Sequence, residues 1–271
     1  MAADASLSRN KCALCDAHPV AAAYGNIPMC SKHTEVKYKG EIEKIHNSQG
    51  KHNLGLASSI ERLIRGDTYK DLSTVWITAT RGQLKPKVVA SWLALQRPMN
   101  NKFVGPIFFE NMEVGDAYEK AFEFVLDHPE LKNWRYILTV EEDNIPPSDG
   151  LLLLYESIKN YDAVGGLYWT KGESGQPMIY GNPQVVPRNF VPQVPIPDTV
   201  QHCNGLGMGF NLFKISMFKK LPRPWFRTVQ EKGRAFSQDL WFYNEAAAHG
   251  FKFACDTRCK VGHLAEDGMV W

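Results

Sequence analysis

The sequence lacks the run of about 20 apolar residues that a membrane-spanning helix needs. Its N-terminus, with Asp4 and Lys11, also lacks the apolar stretch of a signal peptide. The chain has little net charge, because its 31 Lys and Arg nearly balance its 29 Asp and Glu and leave a net charge of +2. So small an excess does not indicate a protein that binds nucleic acid by charge alone. We therefore expect a cytoplasmic protein without a membrane span.

Several motifs of nucleotide-dependent and hydrolytic enzymes are missing as well. Neither a G-x4-G-K-[ST] phosphate loop nor a G-x-S-x-G nucleophile elbow occurs. The run Gly205–Gly209 (GLGMG) contains three glycines, but it departs from G-x-G-x-x-G and precedes strand-like sequence instead of a helix. These absences argue against a P-loop kinase, a serine hydrolase and an NAD-dependent dehydrogenase.

Cysteine is sparse, with six residues, yet three of them fall within the first thirty positions. Cys12-x2-Cys15 and Cys30-x2-His33 offer three thiolates and an imidazole, which suit tetrahedral Zn²⁺. Because the protein fills all four positions, we expect the zinc to be structural. His18 is the alternative to His33 as fourth ligand, and a chance grouping of unliganded side chains is the alternative to the zinc site.

The composition changes along the chain and indicates three parts. Residues 1–45 form the predicted zinc-binding module, and residues 46–72 form a polar linker with a short helix at Ala57–Arg65. Residues 73–271 form the main domain. With 44% hydrophobic residues the chain can bury a sizeable core.

The main domain alternates apolar strand-like runs with helical stretches, which predicts an α/β fold with a mostly parallel sheet flanked by helices. Residues 177–197 hold six prolines and are expected to form a loop. The predicted elements are strand Thr74–Thr80, helix Pro86–Leu95, strand Phe103–Phe109, helix Ala117–Leu126, strand Tyr136–Val140, strand Ala163–Trp169, strand Gly209–Lys214 and helix Gln238–His249 with Ser237 as its N-cap.

Three consecutive acids follow the apolar run Tyr136–Val140. In an open α/β sheet, ligands bind beyond the carboxyl ends of the strands, where Glu141, Glu142 and Asp143 fall. Alternation would direct Glu141 and Asp143 to one side, where a Glu-x-Asp pair can hold Mn²⁺ or Mg²⁺ together with substrate phosphates. A solvated acidic turn is the equally simple alternative.

Two further candidates lie near the end of the chain. Asp239 falls in the first turn of a predicted helix, where the helix dipole favours the ionised carboxylate of a base; a purely stabilising acid is the alternative. His263 follows an apolar segment and, taken alone, is typical of a hydrogen-bonded histidine. Cys203, Cys255 and Cys259 with His263 make a weak second metal cluster, because no Cys-x2-Cys pair is present.

Taken in order, the residues from about 74 to 264 resemble the GT-A type glycosyltransferases, in particular inverting enzymes that use nucleotide-diphosphate sugars. The matching segments are Thr78–Gly82, Glu141–Pro147, Val164–Tyr168, Gly207–Phe213, Phe218–Phe226, Ser237–Leu240 and Val261–His263. The zinc-binding module does not belong to the usual pattern of that family.

The resemblance implies a GT-A-like fold and a role for each matching residue. Glu141 and Asp143 stand at the family's D-x-D motif and, with His263, would hold Mn²⁺ or Mg²⁺. Asp239 stands at the general base of the E-D motif, in which Gln238 replaces the usual Glu. The residues implied for nucleotide-sugar binding are Thr78, Thr80, Arg81, Glu141, Glu142, Gly166 and Gly207.

We therefore expect a metal-dependent inverting glycosyltransferase that acts on an acceptor hydroxyl, with a macromolecule such as modified DNA as one acceptor. A first alternative is a zinc-containing module that binds nucleic acid or protein beside a non-catalytic α/β scaffold; residues 1–70 carry ten Lys and Arg against seven acids. A second is a sugar nucleotidyltransferase, which is expected to have a Gly-rich basic loop where Arg81–Lys85 has a single Gly.

Overall fold

A computed structural model describes residues 71–98, 102–231 and 234–271, together with two short strands, Ala22–Tyr24 and Ile27–Met29. The chain divides into two compact units, Met1–Lys70 and Asp71–Trp271. In the first unit the two short strands pair antiparallel, with Ala22 opposite Met29. The predicted zinc ligands Cys12, Cys15, Cys30 and His33 and the predicted helix Ala57–Arg65 lie outside the described residues.

The second unit is built on a seven-stranded sheet, which confirms the mixed α/β class and the mostly parallel sheet. The strands are β1 (Thr74–Thr80), β2 (Phe103–Glu110), β3 (Tyr136–Val140), β4 (Ala163–Leu167), β5 (Val200–Cys203), β6 (Phe210–Lys214) and β7 (Phe253–Lys260). Their order across the sheet is β2-β1-β3-β6-β4-β7-β5. Strand β1 runs parallel to β2 and β3, and β7 runs parallel to β4. Strands β6 and β5 are antiparallel to their neighbours.

Helices and short strand pairs complete this unit. The helices are α1 (Pro86–Ala94), α2 (Val114–Asp127), α3 (Gly150–Ser157), α4 (Ile215–Phe218) and α5 (Gln238–Ala248), with 3-10 turns at Leu131–Asn133 and Ile158–Asn160. The two-stranded pairs are Ile179–Tyr180 with Gly205–Leu206, Val229–Glu231 with Arg234–Phe236, and Asn144–Ile145 with Gly262–His263. None of the described helices is long and apolar enough to cross a bilayer.

The sheet is covered on both faces, which explains why its central strands read as continuous apolar runs. In β1, Val75 and Ile77 belong to one core cluster and Trp76 to the other. The first cluster includes Phe122 of α2 and Phe242 of α5, whereas the second draws on α1 and α3. Burial on both faces fixes the register of the strands and hence the positions of the loops that follow them.

Several element boundaries differ from those expected. Helix α2 begins at Val114 instead of Ala117 because the Glu113 carboxylate accepts hydrogen bonds from the backbone N–H groups of Gly115 and Asp116 and caps the helix there. Ser237 occupies the N-cap position of α5, but its hydroxyl bonds the Asp239 carboxylate and caps no backbone group. Helix α3 and strands β5 and β7 were not predicted.

One edge of the sheet collects the loops that carry the candidate residues. Strands β1, β3 and β4 run in the same direction, since β6 is antiparallel to both β3 and β4. Their carboxyl ends therefore meet at one edge, where Arg81, Glu141 and Tyr168 follow in the chain. Segment Gly262–His263 pairs with Asn144–Ile145, so His263 reaches the same edge.

Candidate functional site

The three acids after β3 separate and contact three different elements. The Glu142 carboxylate accepts hydrogen bonds from the Thr80 hydroxyl (2.7 Å) and from the backbone N–H and Nε of Arg81 (2.8 and 2.6 Å). Burial alone would raise the pKa of Glu142, but these hydrogen bonds hold it below its ordinary value. Glu142 is thus an ionised group that ties the end of β3 to the end of β1.

Glu141 lies in a more apolar and more negative environment. Its carboxylate accepts a hydrogen bond from the Tyr118 hydroxyl of α2 at 3.1 Å. Burial, followed by repulsion from Asp143 and Asp239, raises the pKa of Glu141 from 4.5 to about 7. This carboxyl group therefore changes charge near neutral pH, and it senses both of the other acids.

Asp143 is the acid that His263 reaches. The His263 Nε2 lies 3.5 Å from Oδ2 of Asp143, and the His263 Nδ1 lies 2.7 Å from the carbonyl oxygen of Trp169. Lys171 Nζ lies 2.5 Å from the same Oδ2. Burial would raise the pKa of Asp143, but hydrogen bonds and attraction from His263 and Lys171 lower it to about 2. Asp143 is therefore ionised across the physiological range.

Among the described residues, no three His, Cys, Asp or Glu side chains are grouped so that they could hold a metal ion. The pair of Asp143 and His263 nevertheless fits a divalent ion. The backbone carbonyl of Trp169 fixes Nδ1 of the imidazole and leaves Nε2 directed at the carboxylate, as in many metal-ligating histidines. Mg²⁺ commonly takes one or two carboxylates and completes its shell with substrate phosphates and water. Two protein donors suit that mode of binding.

The weak second metal cluster expected from Cys203, Cys255, Cys259 and His263 receives no support. The three cysteines are free and buried, and burial raises the pKa of each thiol. They pack in the core as small apolar side chains, whereas His263 lies at the edge of the sheet beside Asp143.

Asp239 lies in the first turn of α5 and is only 7% exposed. Its Oδ1 accepts hydrogen bonds from the Ser237 hydroxyl and from the backbone N–H of Leu240 (2.8 Å). Burial nevertheless raises the pKa of Asp239. The negative charge of Asp239 also raises the pKa of Glu141 and of Tyr118, although burial and other groups contribute more to both shifts. Asp239 therefore lies near the acid triplet, the three residues 141–143.

A cavity of about 220 Å³ opens between the end of β1, the start of α2 and the acid triplet. Its described lining residues are Ala79, Thr80, Arg81, Met112, Val114, Ala117, Glu141, Glu142 and Asp143. Asp239 is not among them. The cavity thus has an apolar wall from α2 and the preceding loop and a polar, acidic wall from the strand ends, a combination that suits a nucleoside.

Three of the residues implied for nucleotide-sugar binding lie in the packed interior. Thr78 is fully buried, and its hydroxyl accepts a hydrogen bond from the Trp76 indole at 3.1 Å. A Cβ on Gly166 would lie 2.6 Å from Val261, and one on Gly207 would collide with the Tyr168 hydroxyl. Close packing therefore accounts for both glycines without a ligand, whereas Thr80, Arg81, Glu141 and Glu142 do line the cavity.

The sequence did not single out Tyr118 or Lys171 as site residues. Tyr118 is a fully buried residue of α2, and helix periodicity marks it only as core. Lys171 stands in a turn after β4, where nothing in the local pattern distinguishes it from a surface lysine. Tyr168 belonged to a matching segment; its hydroxyl accepts a hydrogen bond from the Gly209 N–H at 2.9 Å, and its ring contacts His263 edge-on.

The sequence matches no protein-family model and no curated protein. Many solved structures are similar in fold, and two of them are A197 from STIV and GalNAc-T7. A197 from STIV has a TM-score of 0.53 and 18% identity over 73% of this chain and 88% of that one. GalNAc-T7, solved with UDP, GalNAc and Mn²⁺, has a TM-score of 0.50 and 10% identity over 73% of this chain. The match spans only 44% of the GalNAc-T7 chain, and similarity at this level shows the fold alone, a mixed α/β fold that is consistent with the GT-A type.

Proposed function

We propose that this protein transfers a sugar from a nucleotide-diphosphate donor to an acceptor hydroxyl. The observation that carries the proposal is the cavity at the carboxyl ends of β1 and β3, whose acidic wall includes Asp143, the partner of His263. Ligands of open α/β sheets bind at this edge. Similarity in fold to a glycosyltransferase supports a transferase at a coarse level.

The nucleoside would occupy the cavity, with Met112, Val114 and Ala117 as its apolar wall and Thr80 as a polar partner. Its diphosphate would extend past Asp143. Asp143 and His263 would hold Mn²⁺ or Mg²⁺, which supplies positive charge to a departing diphosphate. The Trp169 carbonyl supports this role by orienting the imidazole.

We assign the general base to Asp239 and a single displacement, with inversion, to the transfer. A base must accept the acceptor's proton at hydrogen-bond range. The raised pKa of Asp239 makes its carboxylate a stronger proton acceptor than an exposed aspartate. Because Asp239 is buried and bonded to Ser237, an acceptor must displace that hydroxyl or approach the second carboxylate oxygen.

The acceptor and the zinc module are proposed from the sequence. The small excess of basic residues in 1–70 permits contact with a nucleic acid, and DNA is therefore one macromolecular acceptor to test. If DNA is the acceptor, binding to a duplex should weaken steeply as salt rises, because phosphate contacts release counterions. If the protein does not bind duplex DNA even at low salt, DNA is not the acceptor, and the transferase proposal is unaffected.

A thermal-shift screen tests the donor directly. A panel of UDP-, GDP-, ADP-, CDP- and dTDP-sugars is added with Mn²⁺ or with EDTA. A donor present at 100 times its Kd should stabilise the folded protein by about 2.7 kcal/mol. For a domain of this size that corresponds to a rise in Tm of roughly 5–10 °C. If no nucleotide sugar raises the Tm under either condition, the proposed function is wrong.

A further inference from the structure

The Asp143 carboxylate already has a cationic partner within the chain. Lys171 Nζ lies 2.5 Å from its Oδ2, with 32% of the lysine side chain and 24% of the aspartate side chain exposed. Two other lysine–carboxylate pairs among the described residues are longer: Lys102–Glu130 at 3.5 Å, 69% and 61% exposed, and Lys214–Asp162 at 4.0 Å, 28% and 29% exposed. Lys171 is thus held in a partly shielded ion pair beside the candidate metal ligand.

The turn that presents Lys171 is ordered by its own hydrogen bonds. The backbone N–H of Thr170 donates to the carbonyl of Gln176 (2.9 Å), and the N–H of Gln176 donates to the Thr170 hydroxyl (2.8 Å). Gly172 has a φ of +102°, a conformation that residues with a Cβ rarely adopt. The same segment begins with Trp169, whose carbonyl orients His263. One loop therefore positions both groups that approach Asp143.

A second, smaller cavity of about 50 Å³ lies at this lysine. It shares the lining residues Arg81, Glu142 and Asp143 with the 220 Å³ cavity, so the two cavities adjoin at the acidic wall. Its described lining residues are Arg81, Gln83, Lys85, Glu142, Asp143, Lys171, Leu264 and Glu266. Lys85 already donates to the carbonyl oxygens of Ala265 and Glu266, whereas the Lys171 ammonium is bonded to a carboxylate.

The charges of this cavity pose a problem for an anionic ligand. A diphosphate that passes Asp143 meets a carboxylate in the cavity wall, and two anionic groups repel each other. A cation between the two anions removes that repulsion, and an ammonium group is a strong, adaptable donor to phosphate oxygens. Lys171 has the charge, the flexible stem and the position next to Asp143 to provide it.

We propose that Lys171 is the cation that binds the diphosphate in this cleft. In the absence of ligand, its ammonium group pairs with the Asp143 carboxylate and competes there with a divalent ion. The inference rests on the proposed function for the source of the diphosphate, a nucleotide-sugar donor. It assigns to Lys171 two exchangeable anionic partners, the Asp143 carboxylate and a phosphate group.

The test compares the full chain with its Lys171→Gln variant. The two probes are Mn²⁺ alone and inorganic pyrophosphate alone in EDTA, and neither depends on which nucleotide the donor carries. Removal of a competing cation should tighten Mn²⁺ binding by roughly threefold to fivefold, as measured by electron paramagnetic resonance. Loss of a charge-assisted hydrogen bond should weaken pyrophosphate binding by about tenfold, as measured by calorimetry. Lys171→Arg, which keeps the cation, should retain pyrophosphate binding.

The opposite signs of the two changes separate this role from a structural one. A lysine that only orders its loop would, on replacement, weaken both ligands or neither. Lys102→Gln breaks the exposed pair with Glu130 at the far end of β2 and serves as the matched control, with both affinities expected to equal those of the wild type.

Each result has a definite meaning. The inference is wrong if the wild-type protein binds no pyrophosphate. It is also wrong if the Lys171→Gln variant binds both probes with the affinities of the wild type. A negative screen with nucleotide sugars, together with the expected pyrophosphate results, removes the proposed donor but leaves Lys171 as an anion-binding residue. The two failures are therefore distinguishable.

Discussion

Replacement of Glu141 by Gln should change how the stability of the second unit depends on pH. In the folded protein, burial and repulsion from Asp143 and Asp239 raise the pKa of Glu141 from 4.5 to about 7. Between these values the folded state binds more protons than the unfolded state. The stabilisation is therefore complete below pH 4.5 and is lost as pH rises through 7. Gln keeps the shape and an oxygen for the Tyr118 hydroxyl but does not titrate.

The expected size follows from the shifted pKa. Between pH 5 and pH 8 the wild type should lose about 2–3 kcal/mol of unfolding free energy relative to Glu141→Gln. Asp239, whose pKa is also raised, acts in the same direction but is present in both proteins. The lowered pKa values of Glu142 and Asp143 act only in more acidic solution, below the pH range of the comparison.

Urea denaturation monitored by tryptophan fluorescence measures this difference, because all seven Trp residues lie after residue 73 and report on the second unit. EDTA in every sample keeps divalent ions from binding the acids. Glu130→Gln removes an exposed carboxylate and should follow the wild type at every pH. If the wild type and Glu141→Gln lose stability in parallel from pH 5 to pH 8, the assigned environment of Glu141 is wrong.

The remaining predictions concern the proposed chemistry and the zinc module. Asp239→Asn should lower kcat by about 10²–10⁴-fold with little change in donor affinity, and a variant that keeps wild-type turnover would show that Asp239 is not the base. Asp143→Ala should abolish Mn²⁺-dependent nucleotide binding, so an undiminished calorimetric signal would contradict its role. The purified full chain should contain about one zinc per molecule, which Cys12→Ser with Cys15→Ser should remove; equal zinc content in both would exclude these ligands.

Local sequence patterns predicted the parts of the fold that are uniformly apolar or strongly periodic. Strands β1 and β3 were read correctly because burial on both faces produces unbroken apolar runs. Strand β7 was missed because it contains the fully buried Asp256. That charge is compensated by Arg258 and by the Ser157 hydroxyl, at 2.7 and 2.5 Å, and Ser157 lies 99 residues earlier, on α3.

The candidate site shows the same division between local and long-range information. Adjacent acids and a lone histidine are visible in the sequence, but the approach of His263 to Asp143 depends on a strand pair of two residues a side, too short to produce a pattern. The contact between Lys171 and Asp143 depends on the turn that carries Lys171, and nothing in the sequence around this lysine distinguishes it from a surface lysine.

The late position of His263 has a consequence for synthesis and proteolysis. Every strand of the large sheet is complete by Lys260, whereas His263 and the backbone bonds that hold it, Leu264 to Asp143 and Trp271 to His263, come from the following residues. A nascent or clipped polypeptide that ends at residue 261 thus contains every sheet strand and yet lacks the imidazole. We expect such fragments to fold and, under the role proposed for His263, to bind no Mn²⁺, because they lack one of its two proposed protein ligands.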